Sequence, residues 1–187
     1  MKEKLLLVEI DSIYCDYLRK FDKKVPYNYD SKKHRPFIGV LFEVNNFKYF
    51  APLSSPKPKH KKMKTKLDFL KLKNGELGVI NFNNMIPVKN KNIRKINLDK
   101  IYKNKKKQNY INLLKEQIYW LNRNDEKLFF RSKKLYDKYI SGTLNKNIAK
   151  RCCDFLLLEE KCDYYNKKKW YNNNRRNKYG KGKSIFL

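Results

Sequence analysis

The sequence contains no apolar run long enough to cross a bilayer. Its longest, "LLLV" at 5–8 and "FLLL" at 155–158, fall far short of the ~20 residues a spanning helix needs. The opening "MKEKLLLVEIDSIYC" has too short an apolar centre for a signal peptide, and it carries acids inside that centre. These absences set the expectation of a cytoplasmic protein with no membrane partner. Cysteine is scarce as well. Cys15, Cys152, Cys153 and Cys162 form no C-x-x-C pair, so reduced thiols are expected in that compartment. Combined with the two histidines, His34 and His60, they do not match the usual zinc spacings, and neither a metal nor a cofactor is expected. No internal repeat is visible, and no helix-turn-helix pattern with a basic second helix, which argues against a DNA-reading regulator. The most telling shortage is of acid: Asp+Glu 18 against Lys+Arg 46, a formal net charge of +28 over 187 residues.

That imbalance attracts polyanions. A genome rich in A and T inflates Lys, Asn, Ile, Tyr and Phe together, but it does not explain so few acids. The cations come with 14 Tyr and 11 Phe. Lysines that track phosphate and rings that stack on unpaired bases suit RNA. A length of 187 residues fits one domain.

Along the chain, the first hundred residues read as mostly antiparallel β. "LLLVEI" (5–10) is a strand, and "DSIYCDYLRKF" changes to helical spacing after an Asp11 or Ser12 cap. A polar, basic loop occupies 22–36. "FIGVLFEV" (37–44) and "FKYFAPL" (47–53) pair across an "NN" turn, and a basic loop then runs to about Lys66. "LDFLKL" (67–72) and "LGVINF" (77–82) form a second hairpin across Asn74-Gly75, followed by short strands in "MIPV" and "IRKINL". Three helices follow. The first has Tyr110, Leu113, Leu114, Gln117, Ile118 and Leu121 as its face. The second has Leu128, Phe129, Leu135, Tyr136 and Tyr139, with Gly142 as a stop. The third is "DFLLLEEKCDYY", with Asp154 as cap and Glu159 and Glu160 placed to suit the helix dipole. The expected fold class is α+β in one compact domain over 1–165, because each single-faced helix and the curled sheet need one another's cover. Residues 166–187 have no apolar period and read as a basic, partly disordered extension.

The stretch "SSPKPKHKKMK" (54–64) ends the aromatic strand in two hydroxyls and a lysine held between prolines. Pro56 and Pro58 restrict the backbone around Lys57. RNA carries its own nucleophile, the 2′-hydroxyl, so a protein that aligns the backbone, moves a proton and steadies phosphoryl charge suffices for cleavage. Ser54, Ser55 and Lys57 have the groups for that, and the same stretch also reads as a solvated linker. His34 and His60 suit acid–base work or a phosphate contact. Tyr27 and Tyr29 can stack on bases or pin their loop. Arg35 cannot act as a base and would clamp phosphate.

The order of "FDKKVP", "RPFIGVLFEVNNFKYFAPLSSPK", "LGVINFNNMIPV" and "CDFLLLEEK" resembles the ToxN/AbiQ family, the endoribonuclease toxins of type III toxin–antitoxin systems, from about Phe21 to Lys161. The resemblance implies a twisted antiparallel β-barrel-like core, related to the MazF/Kid toxins, surrounded by helices that lie mostly in the C-terminal half. It implies metal-independent, sequence-selective RNA cleavage leaving 2′,3′-cyclic phosphate and 5′-hydroxyl ends. The family's hydroxyl pair falls on Ser54 and Ser55, with Ser55 the more critical, and its lysine on Lys57. The basic residue before "FIG", often Lys, is Arg35 here, and the loop tyrosine falls on Tyr29, with Tyr27 the alternative. RNA contacts are expected from Tyr27, Lys33, His34, Lys59, His60, Lys61, Lys62 and Lys64. The implied partners are an antitoxin RNA pseudoknot, cut from a repeated precursor and inhibitory in a protein–RNA ring, and cellular and phage mRNA substrates, in an abortive antiviral role. The rival from composition is a non-catalytic RNA-binding structural protein.

Overall fold

The computed structural model describes residues 4–27 and 35–179. The chain begins with β1 (Leu6–Ile10) and α1 (Ser12–Arg19), whose cap is Asp11; its carboxylate accepts from Ile13 N at 2.9 Å. The expected strand at 37–44 is broken into β2 (Phe37–Gly39) and β3 (Glu43–Val44). Both still follow the same neighbour, β4 (Phe47–Ser54), and between them Leu41 N and Phe42 O keep bonds to Tyr49. The Val44–Phe47 pair closes a two-residue turn in which Asn45 and Asn46 have φ of 47° and 65°. Two successive left-handed residues suit the right-handed twist of the flanking strands, and asparagine tolerates them better than most residues.

Five further short elements complete the N-terminal half. They are α2 (Pro58–Lys62), β5 (Phe69–Lys71), β6 (Val79–Asn81), β7 (Ile86–Val88) and β8 (Ile93–Lys95). β4 is the hub of an eight-stranded antiparallel sheet ordered β5-β6-β4-β2-β1-β8, with β3 and β7 also pairing to β4. Its side chains are buried on both faces for most of its length, as a central strand requires. The expected barrel is not closed: among the described residues β5 and β8 stay at opposite edges and do not pair. Both are three-residue strands, too short to supply the tilt and stagger that closure demands. β5 ends in the half-buried Lys71 and β8 in the exposed Arg94 and Lys95, charges that blunt an open edge.

The C-terminal half is helical: α3 (Lys105–Asn122), α4 (Asp125–Ile140), α5 (Lys146–Ala149) and α6 (Phe155–Tyr179). α6 packs against β7 and α1, and α4 packs on α6. The expected apolar faces of α3 and α4 are only partly buried. Ile111 and Ser132 point inward, while Phe129 is 42% exposed. Glu159 differs most from its expected role. It is 6% exposed, and its Oε1 accepts from Tyr49 Oη at 2.7 Å and Tyr136 Oη at 2.9 Å. A carboxylate read as serving the helix dipole therefore ties the central strand to two helices. Burial, then the bond to Glu159, raises the pKa of both phenols. Phe42 stacks on Tyr49, with ring centroids 4.7 Å apart, and Phe155 stacks on Tyr136. The third helix does not stop at Tyr165. Asn166 is buried, its Oδ1 accepting from Asn92 Nδ2 at 3.1 Å, and α6 continues to Tyr179. No helix among the described residues is long and apolar enough to cross a membrane.

Candidate active site

Ser54 is the last residue of β4 and pairs with Val79 of β6 on one side. On the other side the β2 ladder runs Phe37–Pro52 and continues through Leu53 N donating to Pro36 O at 2.9 Å. Arg35 is the next residue toward the N-terminus, and Ser54 the next residue of β4. The two residues, nineteen positions apart in sequence, thus stand at neighbouring strand ends. Both residues are half-buried. Burial first, and the like charge of Arg19 second, lower the Arg35 pKa, but a guanidinium has ample reserve and stays cationic.

Ser55, Pro56 and Lys57 are exposed beyond the strand end. Lys57 has extended backbone (φ −139°, ψ 149°), and its carbonyl accepts from His60 N at 2.9 Å. It is the residue before a helix. The segment read as a continuous basic loop to Lys66 contains α2, started by Pro58 at its first position, where a fixed φ and a missing N–H carry no penalty. The proline brace is therefore real on the C-terminal side, and what it braces against is a helical turn.

A second brace comes from β6. Gly78 has φ +100°, and a Cβ there would overlap the Ser54 carbonyl oxygen and lie 3.1 Å from the carbonyl carbons of Ser54 and Ser55. Gly75, with φ +96°, lies similarly under His60, whose carbonyl would be 3.4 Å from its Cβ. The link between β5 and β6 is thus no simple Asn-Gly hairpin. Residues 72–78 form a folded turn, closed by Leu72 N donating to Gly78 O at 3.0 Å, that supports the Ser54–His60 segment from below. Lys71 Nζ adds a bond to Lys61 O at 3.2 Å. The only hint in the sequence was the spacing of two glycines in "NGELG".

The structure divides the expected RNA contacts. Lys59, Lys61, Lys62 and Lys64 are exposed around α2. His60 is not with them: it is 4% exposed, its ring set edge-on to Phe69 at 6.4 Å. It fills the gap between α2 and β5 instead of projecting toward a ligand. Burial, then Lys59 and Lys57, lower its pKa and keep it neutral near pH 7. Tyr27 is 48% exposed, with the Arg19 guanidinium 4.8 Å from its ring centroid. Tyr29, Lys33 and His34 lie outside the described residues.

The start of the 22–36 loop is fixed by residues that sequence reasoning did not assign. Arg19 Nε donates to Val25 O at 3.2 Å and Nη2 to Pro26 O at 2.7 Å. Asp22 accepts from Lys24 N at 2.9 Å and from Asp154 N at 2.7 Å, while Lys24 Nζ donates to Cys152 O at 2.5 Å. "FDKKVP" and "RCCDFLLLEEK" are therefore two halves of one structural knot at the entrance to α6. Cysteines 15, 152, 153 and 162 are all buried and free. Burial pushes the Cys15 and Cys152 thiols up to about 12, so they are inert packing groups.

The arrangement presents two hydroxyls and an ammonium at the end of β4, with the half-buried Arg35 at the adjoining end of β2, on a support that backbone packing holds still. Comparison with known proteins places it in a lineage. The family model described as Toxin ToxN, type III toxin–antitoxin system, matches residues 6–163. Endoribonuclease ToxN of Bacillus thuringiensis subsp. kurstaki is 35% identical over 162 residues, 84% of this chain and 82% of that protein. A solved chain from work on type III toxin–antitoxin systems and selective toxin inhibition by a non-coding RNA pseudoknot superposes with a TM-score of 0.74 at 33% identity, covering 88% of this chain and 99% of its own. That of AbiQ, a lactococcal anti-phage endoribonuclease of the type III class, superposes with a TM-score of 0.76 at 29% identity, covering 88% and 99%. With the family model spanning most of its length, the chain belongs to the ToxN family of type III toxin–antitoxin toxins.

Proposed function

We propose that the protein is an endoribonuclease toxin that cleaves RNA at the end of β4. The carrying observation is that Ser54 ends β4 beside β2, the strand Arg35 leads into, with Ser55 and Lys57 exposed just beyond and the Ser54–Ser55 peptide underpinned by Gly78. The substrate's 2′-hydroxyl passes its proton to a non-bridging oxygen of the substrate phosphate or to water as its oxygen attacks the adjacent phosphorus, and the bond from phosphorus to the 5′-oxygen breaks. The products are a 2′,3′-cyclic phosphate and a 5′-hydroxyl. Lys57, as an ammonium, donates its proton to the departing oxygen. The Ser55 and Ser54 hydroxyls and the Arg35 guanidinium hold the non-bridging oxygens as charge builds on them. Tyr29 completes the set by the family pattern, and Lys33, Lys59, Lys61, Lys62 and Lys64 guide the strand. No metal enters this scheme, because the nucleophile and the leaving group both belong to the substrate.

The family assignment extends the reading to partners. A repeat-derived RNA pseudoknot, cut by the toxin and then retained as its inhibitor in a protein–RNA ring, is the proposed antitoxin. Cellular and phage mRNAs in the cytoplasm are the proposed targets of an antiviral growth arrest. The test is incubation of the purified protein with total RNA in EDTA, followed by end mapping. Cyclic-phosphate ends are expected, and Ser55→Ala should lower the rate by ~10²–10³, as removal of an oxyanion-type donor does elsewhere. Intact RNA, or a Lys57→Ala protein that cuts at the parent rate, overturns the mechanism.

A further inference from the structure

At the far edge of the sheet lies a groove that the active site does not use. It is a cavity of about 690 Å³ between β8 and the first turns of α3. β1 and β2 separate β8 from β4, so the groove is three strand spacings, ~14 Å, from the strand that carries Ser54. Its volume lies in the range of small-ligand sites.

The lining has two chemistries in one place. Arg94, Lys95, Lys100, Lys106 and Lys107 border it against a single acid, Glu9, which is ion-paired to Arg94. Between them stand two half-buried rings, Tyr102 and Tyr110, over a floor that includes buried Ile111 and Leu114. The Tyr102 segment is held in place, its N–H donating to Gln108 Oε1 at 2.8 Å, and Lys100 Nζ is 5.2 Å from the Tyr102 ring centroid. Lys106 and Lys107 lie in the first turn of α3, which contains no acid. Cations there oppose the positive end of the helix dipole, an arrangement that a bound anion relieves. Phosphate alone would need the cations but not the rings and apolar floor. A base alone would need the floor but not so many cations.

We infer that this groove binds an unpaired nucleotide of RNA, its base against Tyr102 and Tyr110 and its flanking phosphates on Lys100, Lys106 and Lys107. The inference rests on the reading of the protein as an RNA-cutting enzyme and adds a second point of grip to it. An RNA engaged at both places is held across the sheet, so long substrates gain affinity that short ones do not.

The test uses the full chain and a 2′-O-methyl 20-mer, which cannot be cleaved, followed by fluorescence anisotropy. Lys106→Glu with Lys107→Glu is expected to weaken binding at least ~10-fold and to flatten the log–log salt dependence by ~1.4, two contacts at ~0.7 each. Tyr102→Ala is expected to weaken binding ~5–100-fold through lost stacking, and Tyr102→Trp to restore it. Cleavage of a dinucleotide, whose two nucleosides flank the scissile phosphate and cannot span the ~14 Å to β8, should be unchanged in all of these variants. An unchanged salt slope, a Tyr102→Trp protein as weak as Tyr102→Ala, or equal loss on the dinucleotide overturns the inference. So does adenosine 5′-monophosphate binding as tightly as the 20-mer, which would make this a site for free nucleotides. If the parent cuts no RNA while the binding differences persist, the catalytic proposal fails and the groove stands.

Discussion

Replacing Gly78 by alanine puts one methyl group where the backbone of the Ser54–Ser55 peptide already is. Two costs arise, and they can be separated. The first is conformational: φ +100° is a backbone geometry that L-residues avoid, a penalty of about 1–2 kcal/mol. The second is positional. The overlapped atom is a carbonyl oxygen of the chain itself, with the Ser54 and Ser55 carbonyl carbons at 3.1 Å, so no side-chain rotation relieves it. The end of β4 must move by about 1 Å, a displacement that can cost ~10² in rate. Gly142 provides the control, since it has φ +70° and open space where a Cβ would stand. Gly142→Ala should therefore show the conformational cost alone. In single-turnover cleavage of a defined RNA, Gly78→Ala is expected to lower the chemical step about 100-fold with KM changed less than about 3-fold. Gly142→Ala should cut at the parent rate. Urea unfolding should place both within about 1–3 kcal/mol of the parent, confirming folded proteins. A Gly78→Ala protein with the parent's rate, or the same rate loss in both variants, refutes the claim that this glycine positions the hydroxyls.

Two further outcomes follow from groups buried elsewhere. Glu159→Ala leaves the Tyr49 and Tyr136 hydroxyls without their acceptor, at a cost of about 1–3 kcal/mol each in urea unfolding; Glu159→Gln retains an acceptor oxygen and should lose distinctly less, so equal losses would show that packing alone matters there. His60 is held neutral, its pKa below the ordinary 6.5 through burial and the nearby Lys59 and Lys57. The unfolded chain takes up that proton first, so the contribution of His60 to stability is whole above about pH 6.5 and is lost as the pH falls through the lower folded value. His60→Leu should flatten the acid side of the stability profile measured by urea midpoints between pH 7.5 and 4.5, and an unchanged slope would show that other groups govern it.

Much of the fold was legible because its signals are local. The Asn45-Asn46 turn, the Asp11 cap and the period change into the C-terminal helices each depend on residues a few positions apart. Sheet closure was not legible, since it depends on how the two outermost strands lie in space, and three-residue strands carry almost no pattern. α2 was hidden because lysines surround Pro58 and mask a helix start as a charged loop. In the site, Ser54, Ser55 and Lys57 were readable from one contiguous motif, whereas the placing of Arg35 near the end of β4 needed the register of β2 on β4. Gly78 went unnoticed because its importance comes from what approaches it, and that partner is two dozen positions away. His60 read as a surface cation among lysines, yet helical geometry turns its ring inward while its neighbours face out.

The tie between Tyr49 and Glu159 joins positions 110 residues apart. The hub strand thus finds the acceptor for its phenol only in α6, more than a hundred positions further on, and such remote closures are slow steps in folding. A polypeptide still being translated lacks that helix and cannot lock the strand whose tip carries the serines.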